Sequence, residues 1–478
     1  GAPREACEPR LSQLGASQPS QPGQLDGAAA EEVREQARAA LEAALCRHAG
    51  GALAPPEASA RVRAMAVAAL AYWQDAHVDL NRAASGLHRF LDQHRRLYWR
   101  RPPWRGVNLG GWLLLEPGPS APFFERLGPQ CGCEWSLLKS LRLRLGDEGA
   151  AEEVRAHRKS FVSEADISQI RALGMNAVRI PLGYWVVTGP TDGDLFVGPG
   201  LEHLDRVLGW CQAHGLQAVL DLHGAPGGES GERPSGHERR AWRWELWRFD
   251  ESLAALRVLA GRYRGHPAVT GISVCNEPSE AVPSEALCEF YDRAVTAIRG
   301  AGMPADQVAI VLPVYRTERL DEVWRTWSRR YDGFVRHTNV VFDLHVYHCF
   351  GPWWQRQNMG THLRMVKRHR KILRRVPAVV GEWSLCLPKR AYRGDDREDE
   401  DAVTRAFAAA QLEAYGQASH GWFFWTWRDS PQQHPGWDCR VCFQRGWLSK
   451  AQLEPPPPAT PCSGAGDFPR RAGSLGGC

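Results

Sequence analysis

Two glutamates in the sequence each stand at the end of a short apolar run. Glu277 belongs to an Asn-Glu-Pro triplet after residues 269–276, and Glu382 belongs to a Gly-Glu-Trp triplet within residues 378–383. Cleavage of a glycosidic bond needs one carboxyl group to protonate the leaving oxygen and a second on the other side of the anomeric carbon. Glu277 and Glu382 can provide that pair. A separation near roughly 5 Å predicts a retaining reaction.

Other polar residues also stand near the ends of apolar runs. One such residue alone usually indicates a solvated side chain, but parallel strands end at one common edge, where several can meet. Arg179 and Tyr347 can donate hydrogen bonds to the nucleophile, and Asn276 can bind the sugar 2-hydroxyl. The full set is Arg179, Asp221, His223, Asn276, Glu277, His345, Tyr347, Glu382, Trp425 and Trp427.

The apolar runs that must position these residues alternate with longer helical patterns. This alternation is typical of a parallel sheet, and eight such units predict a (β/α)8 TIM barrel with its active site at the carboxyl ends of the strands. A doubly wound sheet is the competing fold, but no G-x-G-x-x-G motif follows the first run. The eight runs cover residues 105–115, 176–182, 217–223, 269–276, 307–313, 340–347, 378–383 and 422–427.

Both ends of the chain differ in composition from its centre. Residues 1–28, rich in Ser, Gln, Pro and Gly, predict a disordered lead-in. Residues 29–98 form an Ala/Arg-rich stretch with apolar residues at helical spacing, which predicts a helical extension. Residues 99–450 are assigned to the catalytic barrel. The Pro/Gly-rich residues 451–478 predict a disordered tail.

Composition limits the possible partners. Hydrophobic residues make up 43% and charged residues 24%, as in an ordinary globular protein. The net charge of +5 is scattered, so no nucleic-acid partner is expected. The longest apolar run, residues 64–73, is far shorter than the roughly 20 residues of a membrane-spanning helix. We expect a monomer. The chain as given shows no signal peptide.

Seven segments carry a family resemblance. RGVNLGGWLLLEP at 105–117 is followed in order by VRIPLGYW, DLHGAPGG, CNEP, FDLHVYHCF, VGEWS and WFFWTW. Together they resemble glycoside hydrolase family 5, and most closely its fungal-type exo-β-1,3-glucanases. The resemblance implies that Glu277 is the acid/base and Glu382 the nucleophile, and it favours an extracellular or cell-surface location. It also implies a sugar site built from Glu116, Arg179, His223, Asn276, His345, Tyr347 and Trp425.

One loop departs from the family pattern. Where those glucanases usually read Ser-Gln-Asn-Gly and an aromatic residue, residues 228–232 read Gly-Glu-Ser-Gly-Glu. The departure implies that an entrance clamp loses one of its two aromatic residues, whereas Phe350 keeps the position of the other.

We expect exo release of glucose from β-1,3-glucan. The alternatives are a β-1,6- or β-1,4-glucan, a steryl or lipid glucoside, or transglycosylation. A barrel that only binds glucan would have no use for both glutamates.

No metal or organic cofactor is expected. His345, His348 and Cys349 are close in sequence, but residues three apart on a strand point to opposite faces. Cys439 and Cys442 form a single C-x-x-C motif without the second pair of ligands that structural zinc requires. The chain has 13 cysteines, so at least one thiol stays unpaired in a monomer. Cys275, Cys349 and Cys386 lie in apolar segments, a position typical of buried free thiols.

Overall fold

Eight parallel strands close into a barrel in which each strand pairs with the next and the last pairs with the first. The computed structural model describes residues 101–128, 131–330, 339–392 and 399–453. The strands are β1 Trp104–Asn108, β2 Ala177–Gly183, β3 Gln217–Gly224, β4 Val269–Ser273, β5 Ala309–Tyr315, β6 Val340–Val346, β7 Ala378–Trp383 and β8 Gly421–Phe424. The prediction of a (β/α)8 barrel is confirmed, and the doubly wound alternative is excluded.

Helices connect the strands. In chain order they are α1 Ala121–Glu125, α2 Glu134–Ser160, α3 Glu164–Ala172, α4 Tyr184–Val187, α5 Leu201–Ala213, α6 Phe249–Arg262, α7 Ser284–Gly300, α8 Leu320–Arg330, α9 Gly351–Gln355, α10 Met359–Leu373, α11 Glu400–Tyr415, α12 Cys439–Gln444 and α13 Lys450–Leu453. Within the described ranges, no helix is both long and apolar enough to cross a membrane.

The strands form because their residues can be buried on both faces. Every residue of β2, β3, β6 and β7 is buried, which suits the near-continuous apolar runs of a parallel sheet. The helices pack outside the barrel through one apolar stripe. On α5 that stripe consists of Leu204, Val207, Leu208 and Cys211, at the i, i+3, i+4, i+7 spacing of one helix face.

Several strand ends differ from the prediction. The first run was expected to continue to residue 115, but β1 ends at Asn108, and Gly111 then turns the chain with a φ of 72° that suits glycine. Strand β4 ends at Ser273, so Asn276 and Glu277 lie just beyond it. Strand β8 ends at Phe424, so Trp425 and Trp427 likewise follow their strand. The site residues therefore stand on the rim of the barrel.

An apolar layer fills the barrel at the end opposite the rim. It consists of Trp104, Ala177, Val219, Ala309, Val311, Val341, Val379 and Phe423, all of them buried. The Trp104 and Phe423 rings pack with centroids 5.5 Å apart, and the Trp104 indole N–H donates to Thr270 Oγ1 at 2.9 Å. Tight packing here closes one end, so a ligand can approach only from the rim.

The predicted terminal segments lie largely outside the residues that the structure describes. The chain divides into two units, Gly1–Ala84 and Ser85–Cys478, and all described residues belong to the second. The predicted lead-in 1–28 and helical extension 29–98 lie outside the described residues, as do residues 454–478 of the predicted tail. Helix α13 runs past the expected barrel boundary at residue 450 and ends at Leu453.

Candidate active site

The rim of the barrel surrounds a cavity of about 830 Å³. The structure brings nine of the twelve predicted residues to its wall: Glu116, His223, Asn276, Glu277, His345, Tyr347, Phe350, Glu382 and Trp425. Arg179 and Asp221 are buried, and Arg179 contacts Glu382 directly. Trp427 is separate from this group, because its indole N–H donates to Asp166 on α3 at 2.9 Å.

Glu382 lies near the end of β7 and has a donor on each oxygen. Arg179 Nη1 donates to Oε1 at 2.9 Å, and the Tyr347 hydroxyl donates to Oε2 at 2.7 Å. Burial raises the pKa of Glu382; His345 and Arg179 lower it and the charge of Glu277 raises it, so that overall the pKa lies above its ordinary value. Burial and the Glu382 charge raise the pKa of Tyr347 well above its ordinary value, so its hydroxyl stays neutral and donates. These donors favour an ionised carboxylate.

Arg179 connects Glu382 to a second carboxylate. Its Nη2 lies 3.0 Å from Asp221 Oδ2, and its Nη1 also donates to Asn108 Oδ1 at 2.9 Å. Burial opposes its charge, but the surrounding carboxylates raise the pKa of Arg179 overall. Burial likewise raises the pKa of Asp221, but Arg179 and His223 lower it overall. Both groups therefore remain charged inside the barrel, with mutual pairing offsetting the loss of water.

Asn276 and His223 complete a closed ring of hydrogen bonds with these two residues. Arg179 Nη2 donates to Asn276 Oδ1 at 3.1 Å, and Asn276 Nδ2 lies 3.1 Å from His223 Nε2. His223 Nδ1 lies 2.7 Å from Asp221 Oδ2. With its Nδ1 proton directed to Asp221, His223 accepts from Asn276 through Nε2. The ring fixes the Asn276 amide so that its second N–H is left for a ligand.

His345 lies between three carboxylates. Its Nδ1 is 2.6 Å from Glu277 Oε1 and 3.3 Å from Glu382 Oε2, and its Nε2 is 3.5 Å from Asp343 Oδ2. Burial lowers the pKa of His345, but the charges of Glu382 and Asp343 raise it well above the ordinary value overall. The surrounding carboxylates thus favour the protonated, cationic form of the buried His345.

Gly381 allows Asp343 to occupy its position. Its N–H donates to Asp343 Oδ1 at 2.6 Å, and a Cβ at residue 381 would lie only 2.2 Å from Asp343 Oδ2. A side chain larger than hydrogen would push the carboxylate away. Gly381, the glycine of the Gly-Glu-Trp triplet, thus leaves room for Asp343, which lies next to His345. The next residue, Glu382, lines the cavity.

The two glutamates approach each other closely. One oxygen from each, together with a nitrogen of His345, forms a group of atoms that all lie within 4.8 Å of one another. Such a group resembles a metal site, but a protonated His345 has no lone pair to offer a metal. The Glu277 side chain is 12% exposed and Glu382 6%. Glu277 is thus the carboxyl group that extends further toward the opening.

Two further carboxyl groups, those of Glu116 and Asp429, also line the cavity. Burial raises the pKa of Glu116 well above its ordinary value, and the charges of Glu382 and Glu277 raise it further. Burial also raises the pKa of Asp429, to about 6. Glu116 Oε1 is buried with no protein hydrogen-bond partner. A neutral carboxyl group both donates and accepts, which suits it to sugar hydroxyls.

Aromatic rings form the remaining walls. Trp425 lies nearly parallel to His223, with ring centroids 5.7 Å apart and an interplanar angle of 18°. Phe350 is 60% exposed and packs against Tyr347 and Trp437, with ring centroids 5.2 and 5.6 Å away. An apolar ring exposed at a cavity mouth can pack against the CH face of a sugar.

Charged residues lie on the Glu277 side of the cavity. Tyr315, Arg316 and Glu232 line it there. Burial raises the pKa of both Tyr315 and Glu232, and the charge of Glu277 raises it further. Tyr315 has a φ of 69°, a conformation that is strained for an aromatic residue. Arg316 covers the Tyr315 ring at 5.2 Å and pairs with Glu280 at 3.2 Å.

Several residues of this arrangement were not among the predicted ones, Tyr315 and Arg316 included. Asn108, Asp343, Asp429 and Trp437 were not predicted, although the first two contact Arg179 and His345 and the others line the cavity. Asn108 and Asp343 are polar residues within apolar strands, a signal that could have revealed them. Asp429 and Trp437 stand in the loop after β8, where the sequence offers no such contrast.

The discounted metal motifs have other surroundings. His348 is separate from the His345 cluster and places its Nδ1 3.2 Å from His362 Nδ1. Cys439 and Cys442 are buried free thiols at the start of α12. Among the described residues, the only group of three potential metal ligands is the one formed by Glu277, His345 and Glu382.

Comparison with known proteins agrees with this geometry. A family model described as cellulase (glycosyl hydrolase family 5) matches residues 148–431. A probable glucan 1,3-beta-glucosidase A of Aspergillus niger is 32% identical over 372 residues, which cover 70% of this chain and 84% of the relative. The corresponding protein of Emericella nidulans is 31% identical over 381 residues, covering 72% and 89%.

A solved structure shares the fold. The crystal structure of a rutinosidase from Aspergillus niger superposes with a TM-score of 0.59 at 18% identity, covering 74% of this chain and 99% of that one. Together with the family match over more than half of the sequence, these findings show that the chain is a glycoside hydrolase and belongs to glycosyl hydrolase family 5.

Proposed function

We propose that the protein is a retaining exo-β-1,3-glucosidase that releases glucose from β-1,3-glucan by double displacement. The observation that carries the proposal is the proximity of Glu277 and Glu382, whose nearest oxygens lie within 4.8 Å of each other. Retaining enzymes hold their carboxyl groups about 5–5.5 Å apart, whereas inverting enzymes need about 6.5–9.5 Å to admit a water molecule.

In the first step Glu382 attacks the anomeric carbon. Arg179 and Tyr347 hold its two oxygens and keep the carboxylate ionised. Glu277 donates a proton to the leaving oxygen. His345 Nδ1–H occupies Glu277 Oε1, so Oε2 is the oxygen left to carry that proton. The products are a glucosyl ester on Glu382 and a Glu277 carboxylate.

In the second step a water molecule cleaves the ester. Glu277, now ionised, takes the water proton, and Glu382 leaves as a carboxylate. The pair carries one negative charge both before and after the first step. His345 lies within 3.3 Å of both glutamates, and its surroundings favour its cationic form. It can therefore compensate that charge on either residue without moving, which is electrostatic preorganisation.

Groups that the fold already orients would bind the cleaved glucose through hydrogen bonds and ring contacts. The free N–H of Asn276 suits the sugar 2-hydroxyl, a contact that strengthens in the transition state. Glu116 and Asp429 offer carboxyl groups to the more distant hydroxyls, and Trp425 offers a ring face. His223 lines the same wall.

The leaving-group side favours a sugar over a steryl or lipid group. The residues there beside the acid Glu277 are Glu232, Tyr315 and Arg316, which are hydrogen-bonding groups rather than an apolar wall. Phe350 adds one exposed ring. The two Aspergillus and Emericella relatives, named as probable glucan 1,3-beta-glucosidases, support the β-1,3 linkage for this chain.

Laminarin, a β-1,3-glucan, provides the test. The purified full chain should release glucose as the only early product, and NMR should show it first as the β-anomer. Larger oligosaccharides as early products would contradict exo action, and an initial α-anomer would contradict retention. Parallel reactions with β-1,6- and β-1,4-glucans and a steryl glucoside would rank the alternatives, and new oligosaccharides at high sugar concentration would reveal transglycosylation. No turnover of any of them would favour a binding barrel.

The quaternary state and location are part of the proposal. We propose a monomer that acts outside the cell or at its surface, because an extended glucan cannot be taken up before it is cut. Sedimentation equilibrium should return the mass of one chain, 53.3 kDa, and a dimer mass would contradict this. Fractionation of the source cells should recover activity in the medium or wall.

A further inference from the structure

Two cysteines occupy equivalent positions in neighbouring loops at the rim. Strands β6 and β7 pair His345 with Glu382 and Val346 with Trp383. Cys349 and Cys386 each stand four residues beyond the first of these pairs. The chain thus leaves both strands in register, and the two cysteines arrive side by side.

Their thiols lie close enough to interact with each other. Both are free, and Cys349 is buried whereas Cys386 is partly exposed. From sequence both were predicted to be free thiols acting as small hydrophobic groups. Proximity of two thiols in adjacent loops that leave paired strands in register allows a different chemistry, because a bond between them needs little movement of the backbone.

The two loops carry groups of the active site. Cys349 lies between Tyr347, which donates to Glu382, and α9, whose Gln355 side chain donates to the Cys349 carbonyl at 2.7 Å. Cys386 follows Leu385, whose N–H donates to the Gly436 carbonyl at 3.0 Å, next to the cavity residue Trp437. A bond between the cysteines would join three segments of the cavity wall.

We propose that Cys349 and Cys386 are a redox-modification site that forms an intramolecular disulfide by exchange with small-molecule disulfides such as oxidised glutathione. The more exposed Cys386 loses its proton to water and attacks one glutathione sulfur, which forms a mixed disulfide and releases one glutathione thiolate. Cys349 loses its proton and attacks the Cys386 sulfur, and the second glutathione leaves. Two protein thiols are oxidised by two electrons, and one glutathione disulfide is reduced to two thiols.

The bond would stabilise the rim rather than supply chemistry. It closes the loop of residues 349–386 and so restricts the unfolded chain. Tyr347 and Glu382 are already hydrogen-bonded without it, so turnover should change less than twofold. Oxidation should raise the Tm by about 5 °C, and reduction should reverse the rise.

The experiment equilibrates the full chain with oxidised and reduced glutathione at several ratios. Free thiols are then blocked by alkylation, and proteolytic peptides are identified by mass spectrometry. A peptide pair joined through Cys349 and Cys386 should appear under oxidising ratios and vanish on reduction. Recovery of both cysteines alkylated, or of either only as a glutathione adduct or joined to another cysteine, would overturn the proposal.

Variants separate the bond from general oxidation. Cys349→Ala and Cys386→Ala should each abolish the linked peptides and make the Tm insensitive to the glutathione ratio. Cys211→Ala is the matched control, since Cys211 is a buried thiol on α5 and should leave the redox response intact. A redox-dependent Tm that persists in both rim variants would also overturn the proposal. If a variant fails to fold, peptide mapping of the unmutated chain decides alone.

Discussion

The two ends of the barrel use the same strands for opposite purposes. At the closed end, β1, β6, β7 and β8 contribute the apolar residues Trp104, Val341, Val379 and Phe423, which belong to one buried apolar layer. At the rim, β6 and β7 contribute Asp343, His345 and Glu382, which are buried as well. A few residues along one strand therefore separate apolar packing from paired charges.

The difference shows where stability and chemistry each come from. Burial of apolar surface stabilises the closed end with no requirement for particular partners. Burial of charges at the rim is unfavourable unless each charge is paired, and there Arg179, Asp221 and Glu382 depend on one another. The paired charges of the rim therefore suit function rather than stability. Apolar burial at the closed end offsets the unfavourable free energy of burying those charges.

The largest expected effect follows from removing the charge of the nucleophile. Glu382→Gln keeps the shape of the side chain but cannot attack the anomeric carbon. We expect turnover of laminarin to fall on the order of 10⁵-fold, with glucan binding retained. Steady-state kinetics and isothermal calorimetry measure the two quantities. Glu413→Gln, at an exposed pair with Arg370, is the control and should behave as wild type. Unchanged turnover in Glu382→Gln would refute the assignment.

The acid/base should show a loss that depends on the leaving group. For Glu277→Ala we expect laminarin hydrolysis to fall about 10³-fold, because the leaving alkoxide needs a proton. The first step on 2,4-dinitrophenyl β-glucoside should survive, since that leaving group needs none. Azide, which requires no general base, should then restore turnover and give β-glucosyl azide. Equal losses on both substrates without rescue would assign Glu277 a structural role.

A substitution at the closed end should reverse the pattern. Phe423→Ala removes a buried ring packed on Trp104, and we expect the free energy of unfolding to fall by about 3–5 kcal/mol. Turnover per folded molecule should stay within twofold. Denaturant titration and active-site-normalised kinetics measure these. Phe423→Leu should cost less, because more of the buried volume remains. A large kinetic loss in folded Phe423→Ala would show that the two ends are coupled.

The smallest expected effect concerns a buried acid behind the rim. Burial raises the pKa of Glu229 to about 8. The folded protein therefore holds a proton that the unfolded chain loses above pH ~4.3, so stability falls as pH rises from there toward 8. Glu229→Gln removes this dependence. We expect the stability advantage of the variant over wild type to grow by about 2 kcal/mol between pH 5 and pH 6.5 in denaturant titrations, and to grow further toward pH 8.

The exposed Glu245→Gln provides the control for that pH series and should leave the slope unchanged. Parallel pH profiles for wild type and Glu229→Gln would indicate that Glu229 is ionised in the folded protein. In that case Ala225 N–H, which donates to Glu229 Oε2 at 3.0 Å, would have to stabilise the charge more than burial opposes it.

Much of the candidate site was readable because its residues stand at or near strand ends. Glu277, His345, Tyr347 and Glu382 follow strongly apolar segments, and the structure brings them to one cavity. Asp343 was missed because its role depends on Gly381 in the neighbouring strand, which leaves room for its carboxylate. Trp437 and Asp429 were missed because they reach the cavity from a loop whose path follows from packing rather than from periodicity.

Local patterns in the chain were enough to predict the eight strands, the helices between them and the acidic pair. Apolar periodicity and strand ends are properties of short segments, so they survive in the sequence. Distances between strands depend on how the barrel closes. Three features depend on residues that are far apart in the chain. They are the approach of the two glutamates to within 4.8 Å, the ring of hydrogen bonds through Arg179 and the proximity of Cys349 and Cys386. Closure of the barrel brings them within reach, and no short segment encodes that geometry.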